Sequence, residues 1–182
     1  MDWCEQCPLR LFNKKHHNLQ GIGNPWATNV ILIPNVDYGA YKKGNLNFSE
    51  QAAIISSLLS TGVLQTNLYI VPLIRCNEDI ACEVNDDIIA NCLHYFADEL
   101  KLYNWKNILV CGSAWNRMFN RHLKDDFGKA IYSIKNGRLY VPNYSPLVKL
   151  TDTKKFELFK EYLYKWYNTA INKTIDYELL YL

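Results

Sequence analysis

Short apolar runs and helix-spaced apolar residues alternate along this chain. Val30-Ile31-Leu32-Ile33 is an unbroken, largely β-branched run, which predicts a buried parallel strand stopping at Pro34-Asn35. After a polar loop, Ser49 is placed to cap a helix whose Ala52, Ile55, Leu58 and Leu59 recur at helical spacing until Gly62. Leu68-Tyr69-Ile70-Val71 predicts a second strand limited by Pro72, and a helix from Asp86 or Asp87 to about Leu102 follows, with Ile88, Ile89, Leu93, Phe96 and Leu100 on its inner side. Asn107 to Cys111 predicts a third strand, broken by Gly112-Ser113 before a short helix from Ala114 to Phe119. Ala130 to Ile134 and Arg138 to Val141 flank the turn Lys135-Asn136-Gly137, and a last helix is predicted from Asp152 to Tyr167.

Strands alternating with helices imply a mostly parallel sheet covered on both faces. The expected fold is α/β, a three-layer α/β/α domain with a central, mostly parallel four-stranded sheet over residues 1–170, followed by an apolar tail at 171–182. Ligands of such folds bind beyond the carboxyl ends of the strands, here the loops after Ile33, Val71 and Cys111 and the segment from Asn143 to Leu150. The length, 182 residues with 49% hydrophobic and 21% charged, suits one substantial core. The net charge of +2 supplies no overall field for nucleic acid, so such binding needs a local patch. No segment reaches the ~18 apolar residues of a membrane span, and Met1-Asp2-Trp3-Cys4 opens no export signal, which predicts no membrane partner and a cytoplasmic location. The abundance of Tyr, Asn, Ile and Lys suits an AT-rich genome such as that of a phage or mobile element.

In a reducing compartment clustered thiols read as metal ligands or core residues before disulfides. Cys4-Glu5-Gln6-Cys7 puts two thiols on one turn, and Cys76 and Cys92 form a second pair. Four such thiolates suit an iron-sulfur cluster or a tetrahedral zinc, while Cys76 and Cys92 taken alone read equally well as unrelated core residues. Cys111, ending an apolar strand, reads as core, and Cys82 is a stand-in ligand should Cys76 not serve.

The residues around these cysteines carry a resemblance. Cys4-x-x-Cys7-Pro8-Leu9, Gly21-Ile22-Gly23-Asn24-Pro25, Tyr69-Ile70 running to Arg75-Cys76, and Cys92 resemble, in that order, the iron-sulfur, family 4 uracil-DNA glycosylases. Val110-Cys111-Gly112-Ser113-Ala114 and Pro142-Asn143-Tyr144-Ser145-Pro146 are similar to two further motifs of that family, so the likeness spans roughly residues 1–165. It implies a 4Fe-4S cluster on Cys4, Cys7, Cys76 and Cys92, with zinc as the other cofactor such a set could hold, and DNA as partner.

The resemblance also assigns catalytic positions, and several depart from the family. Asn35 stands where the first-loop acid is expected, in Pro34-Asn35-Val36-Asp37-Tyr38, as in mismatch-specific relatives whose asparagine orients water. Asp37-Tyr38-Gly39 and Leu46-Asn47-Phe48-Ser49 are similar to the family 1 loop, which implies Asp37 as a water-orienting carboxylate and Phe48, with Tyr38, as base-binding; Asp37 reads otherwise as a turn residue and Phe48 as a hydrophobic staple. Val71-Pro72 replaces the Thr-Asn that reads a pyrimidine edge, so uracil is no longer the default base. The histidine that would donate to the leaving base becomes Ser145 or Asn143, according to alignment. Leu147 and Lys149 occupy the DNA wedge position, which reads otherwise as packing before the last helix, and Lys14, Lys15, Lys42 and Lys43 fall where they could meet phosphates. His16 and His17 sit in that basic segment, and His94 and His122 in helix patterns. Two functions are expected from this pattern. One is a glycosylase that excises a modified or damaged base by N-glycosidic hydrolysis; the other is an inactive adaptor that binds DNA or a replication or repair protein, with the tail Ile175 to Leu182 as contact.

Overall fold

The computed structural model describes residues 4–5, 7–59, 66–78, 84–172 and 177–181. Gly62 and Cys82, read above as a helix stop and a stand-in ligand, lie outside the described residues. A short helix α1 (Pro8–Phe12) leads to β1 (Ile22–Gly23) and β2 (Asn29–Val36). Helices α2 (Tyr38–Lys43) and α3 (Glu50–Leu58) follow, then β3 (Leu68–Asn77) and the 17-residue helix α4 (Asp86–Leu102). Strand β4 (Asn107–Cys111) precedes α5 (Ser113–Phe119) and α6 (Leu123–Asp126). The hairpin β5 (Lys129–Ser133) and β6 (Arg138–Asn143), the long helix α7 (Thr153–Asn172) and β7 (Glu178–Tyr181) complete the order.

Helix starts follow side-chain chemistry. Asp37, Ser49 and Asn85 each accept a backbone N–H from the first turn of α2, α3 and α4, satisfying donors that would otherwise lack partners. Ile88, Cys92 and Phe96, four residues apart, put the buried stripe of α4 toward the sheet.

The sheet has seven strands in the order β1-β3-β2-β4-β6-β5-β7, not the four expected. Its centre is the expected parallel set, with β2 beside β3 and β4, and β4 beside β6. The additions lie outside it: β1 and β5 pair antiparallel to β3 and β6, and β7 runs parallel to β5. Both β2 and β3 also run past the prolines expected to stop them. Pairing with β4 reaches only Leu32, so Pro34 removes no N–H needed on that side, and β1 covers β3 only at Tyr69 and Ile70, before Pro72.

Alternate strand residues serve two cores. Ile31, Ile33, Leu109 and Val141 pack with Ala52 and Ile55 of α3 and with Phe159, Leu163 and Trp166 of α7. Val30, Leu32, Val71, Ile108 and Val110 pack with Phe96 of α4 and with Ala114 and Trp115 of α5. The architecture is therefore α/β, with helices on both faces of a mixed sheet. The described part of the tail joins it: Leu179 lies against the first core and Leu180 against the second. No helix among the described residues is long and apolar enough to cross a membrane.

Candidate functional site

At the carboxyl end of β2 a ladder register shift between Asn35 and Val36 turns the chain into α2. Asp37 sits at this turn as the anchor of two helices. One carboxylate oxygen accepts the Ala40 N–H at 3.1 Å; the other accepts the Ser49 hydroxyl at 2.6 Å and the Gln51 N–H at 3.3 Å. Gln51 is buried, and its side-chain amide donates to the Asn35 backbone carbonyl at 3.0 Å and to Asn35 Oδ1 at 3.3 Å. Asn35 and Asp37 thus belong to one hydrogen-bonded unit with Ser49 and Gln51. A carboxylate has about four lone-pair sites, so three donors fix Asp37 and leave it acceptor capacity. Gln51 went unnoticed in the sequence, where only the Ser49 cap marked this helix start.

Phe48 and Tyr38 flank this unit, 56% and 57% exposed. Phe48 is not buried beside its helix cap as a staple would be; the Lys43 ammonium lies 5.7 Å from its ring centre.

The loops after β4 and β6 meet at Gly112. Its φ of +56° and ψ of −134° suit glycine, and a Cβ there would stand 2.9 Å from Ser145 Cβ and 3.2 Å from Pro34 Cγ. Gly112 donates its N–H to the Asn143 carbonyl at 2.8 Å, so the ends of β2, β4 and β6 converge on this point. The two candidates for the leaving-group donor differ here. Asn143 is wholly buried, its amide donating to the Phe159 carbonyl at 3.0 Å and its Oδ1 accepting the Tyr144 N–H at 2.8 Å. Ser145 is half-buried and caps the following 3-10 turn by accepting the Leu147 N–H at 3.3 Å, which leaves its hydroxyl proton to donate. In that turn Leu147 packs partly buried on the first core, Lys149 is exposed with its ammonium 5.9 Å from the Phe156 ring centre, and Leu150 is the exposed apolar residue at 61%.

Cys4, Cys7, Cys76 and Cys92 are all buried and outside any disulfide. Cys7, Cys76 and Cys92 share a small core with Leu9, Ile74 and Ile88. Burial pushes the Cys76 thiol up to about 12, opposed by a backbone hydrogen bond from Asn18 and reinforced by Cys92, Cys4 and Cys7. Burial likewise pushes Cys92 up to about 11, against a backbone hydrogen bond from Arg75, with Cys7 and Cys4 adding to the rise. Among the described residues, however, no group of three or more His, Cys, Asp or Glu side chains is arranged as around a bound metal ion. The donor set itself, four thiols with backbone hydrogen bonds onto two of them, fits a group that binds thiolate sulfur. Cys111 is fully buried in the first core, where desolvation raises its pKa.

No protein-family model matches this chain, and no curated protein matches it.

Proposed function

We propose that this chain is a DNA-associated protein of the uracil-DNA glycosylase type, with the three-layer domain of that superfamily and a 4Fe-4S cluster on Cys4, Cys7, Cys76 and Cys92. In this reading it excises a modified or damaged base by N-glycosidic hydrolysis. The observation that carries it is the meeting of loops at the carboxyl edge of the sheet: Ser145 and Pro34 packed at Gly112, the Asn35–Gln51–Asp37–Ser49 unit that follows Pro34, and the exposed rings of Phe48 and Tyr38.

In the reaction, Asp37, held by its three donors, orients a water toward the sugar carbon that bears the base. As the carbon–nitrogen bond breaks, its electron pair leaves with the base, and Ser145 donates a hydrogen bond to the anion until a proton from water neutralises it. The water oxygen bonds to the sugar carbon. Phe48 or Tyr38 stacks on the extruded base. With Val71-Pro72 in place of a polar pair, selection rests on shape and stacking. Cys4, Cys7, Cys76 and Cys92 would hold the cluster as thiolate ligands, and it would tie the segment of Cys4 and Cys7 to β3 and α4.

The test is release of free base, with an alkali-labile abasic site, from labelled oligonucleotides carrying uracil, deaminated or alkylated bases. Asp37→Asn should slow release by about a hundredfold or more, and failure of every substrate would remove the glycosylase reading. Anaerobically purified protein should be brown and contain iron and sulfide, and Cys92→Ala should lose both; zinc in their place, or neither metal, would overturn the cluster.

A second reading is favoured by Asn143, whose amide is committed to the Phe159 carbonyl. With that donor used structurally, the fold would serve as a non-catalytic adaptor for DNA or a replication or repair protein. Capture of a polymerase without base release would support it, and base release without any such capture would overturn it.

A further inference from the structure

Two stretches of the chain, 8–24 and 38–48, contain five basic residues and no acidic one, which leaves 15 basic against 18 acidic elsewhere. The fold brings these stretches together. The His16 ring lies on Gly44, where a Cβ would stand 2.4 Å from Nδ1, and meets Tyr41 edge-on at 6.3 Å between ring centres. The strap that carries His16 is fastened at both ends: Asn13 exchanges two hydrogen bonds of 3.0 Å with the Asn77 backbone, and Leu19 donates its N–H to the Arg75 carbonyl at 2.9 Å. Lys14 and Lys15 of the strap are thereby set beside Lys42 and Lys43 of α2, all four exposed. None of the four is ion-paired among the described residues.

The same contact frames a cleft of about 440 Å³, lined by Asn18, Gln20, Gly21, Gly23, Asn45 and Asn47. That volume falls in the range of about 300–1,000 Å³ usual for ligand sites. Its lining is rich in amide groups. Asn18 holds a left-handed φ of 49°, and its Oδ1 is buried without a hydrogen-bond partner. The Lys43 ammonium, 5.7 Å from the Phe48 ring centre, joins the basic surface to an exposed ring.

We propose that this face is a groove for single-stranded nucleic acid. Lys14, Lys15, Lys42 and Lys43 follow successive phosphates, Phe48 stacks on one base, and the amide-lined cleft takes the edge of a neighbouring base. The inference rests on the DNA reading above and adds the strand state. Paired bases are stacked and hidden, so an exposed ring and a recessed cleft beside unpaired lysines serve bases that are already free.

Fluorescence anisotropy with a labelled oligothymidylate of about 20 nucleotides, single-stranded or annealed to its complement, tests this. The variant Lys14→Gln/Lys15→Gln/Lys42→Gln/Lys43→Gln should bind the single strand about tenfold or more weakly, and its salt slope should fall by about 2–3, near 0.7 for each phosphate no longer neutralised. The two double variants, on separate elements, should each give about half of that change in slope. Asn18→Asp, which puts a charge in the cleft, should weaken binding without changing the salt slope as much. Wild-type preference for the duplex, or a fourfold variant that binds with unchanged affinity and slope, would overturn the groove. Affinity is read without turnover. Loss of base release with the groove intact therefore removes the glycosylase reading alone, and base release from a protein whose lysine variants bind as wild type removes the groove alone.

Discussion

Asp126 is almost wholly buried, yet it remains an anion because its neighbours supply donors. It accepts the Trp115 indole N–H at 2.9 Å and the Arg121 guanidinium through Nε at 2.7 Å and Nη2 at 2.5 Å. The Arg121 hydrogen bond is the main reason that its pKa is lowered, burial working in the opposite direction. A carboxyl whose pKa falls on folding stabilises the protein above the usual carboxylate range and loses that contribution as pH drops through the lowered value. Asp126→Asn should therefore cost about 1–3 kcal/mol at neutral pH, with the two urea-denaturation curves converging in acid; a pH-independent difference would contradict this. Asp37 shows how far single residues could be read from sequence. Its place in a turn was legible, but its carboxylate also holds Ser49 and Gln51, and such a link depends on how α2 packs against α3.

Among the elements, the strap between α1 and β1 depends most on a single side chain. Asn13 is fully buried, donates to the Leu9 and Asn77 carbonyls and accepts the Asn77 N–H. Asn13→Ala removes three hydrogen bonds, two of them to the Asn77 backbone, and should cost about 2–3 kcal/mol. Faster hydrogen exchange confined to 13–19 and 75–77 would mark detachment of the strap, whereas uniform acceleration would mean that the residue stabilises the whole fold instead. Most elements were legible because their patterns are strong: the bounds of α4 and β4 follow from apolar spacing and turn residues. The exceptions have physical causes. Strands β2 and β3 outrun Pro34 and Pro72 because they go on pairing with each other where the neighbour on the other side, β4 or β1, has already ended. The two-residue β1 is too short for any alternation to register, and β7 is held by pairing with β5, which no local pattern reveals.

For the whole molecule, the seven-stranded order puts β1 and β7 at opposite edges. Cys7, Cys76 and Cys92 pack together on the β3 side, while β7 finishes the β5 side. Removing 172–182 should uncover Leu139, Ala130 and their neighbours near β5 and lower solubility at unchanged helix content, measurable by sedimentation and circular dichroism. A truncated chain as soluble as the full one would show β7 to be dispensable.

The pairing of β7 with β5 also sets a time order. Ala130 and Ile131 leave the ribosome well before their partners Leu179 and Leu180, because the whole of β6 and α7 is made in between. At about 5–20 residues per second, synthesis of that intervening stretch lasts for seconds, long compared with the folding of a helix or hairpin. Throughout that interval β5 presents an open hydrogen-bonding edge to whatever else is being made nearby. Closure therefore waits for Leu179 and Leu180, and every copy terminated before them keeps an adhesive edge that β7 would otherwise cover.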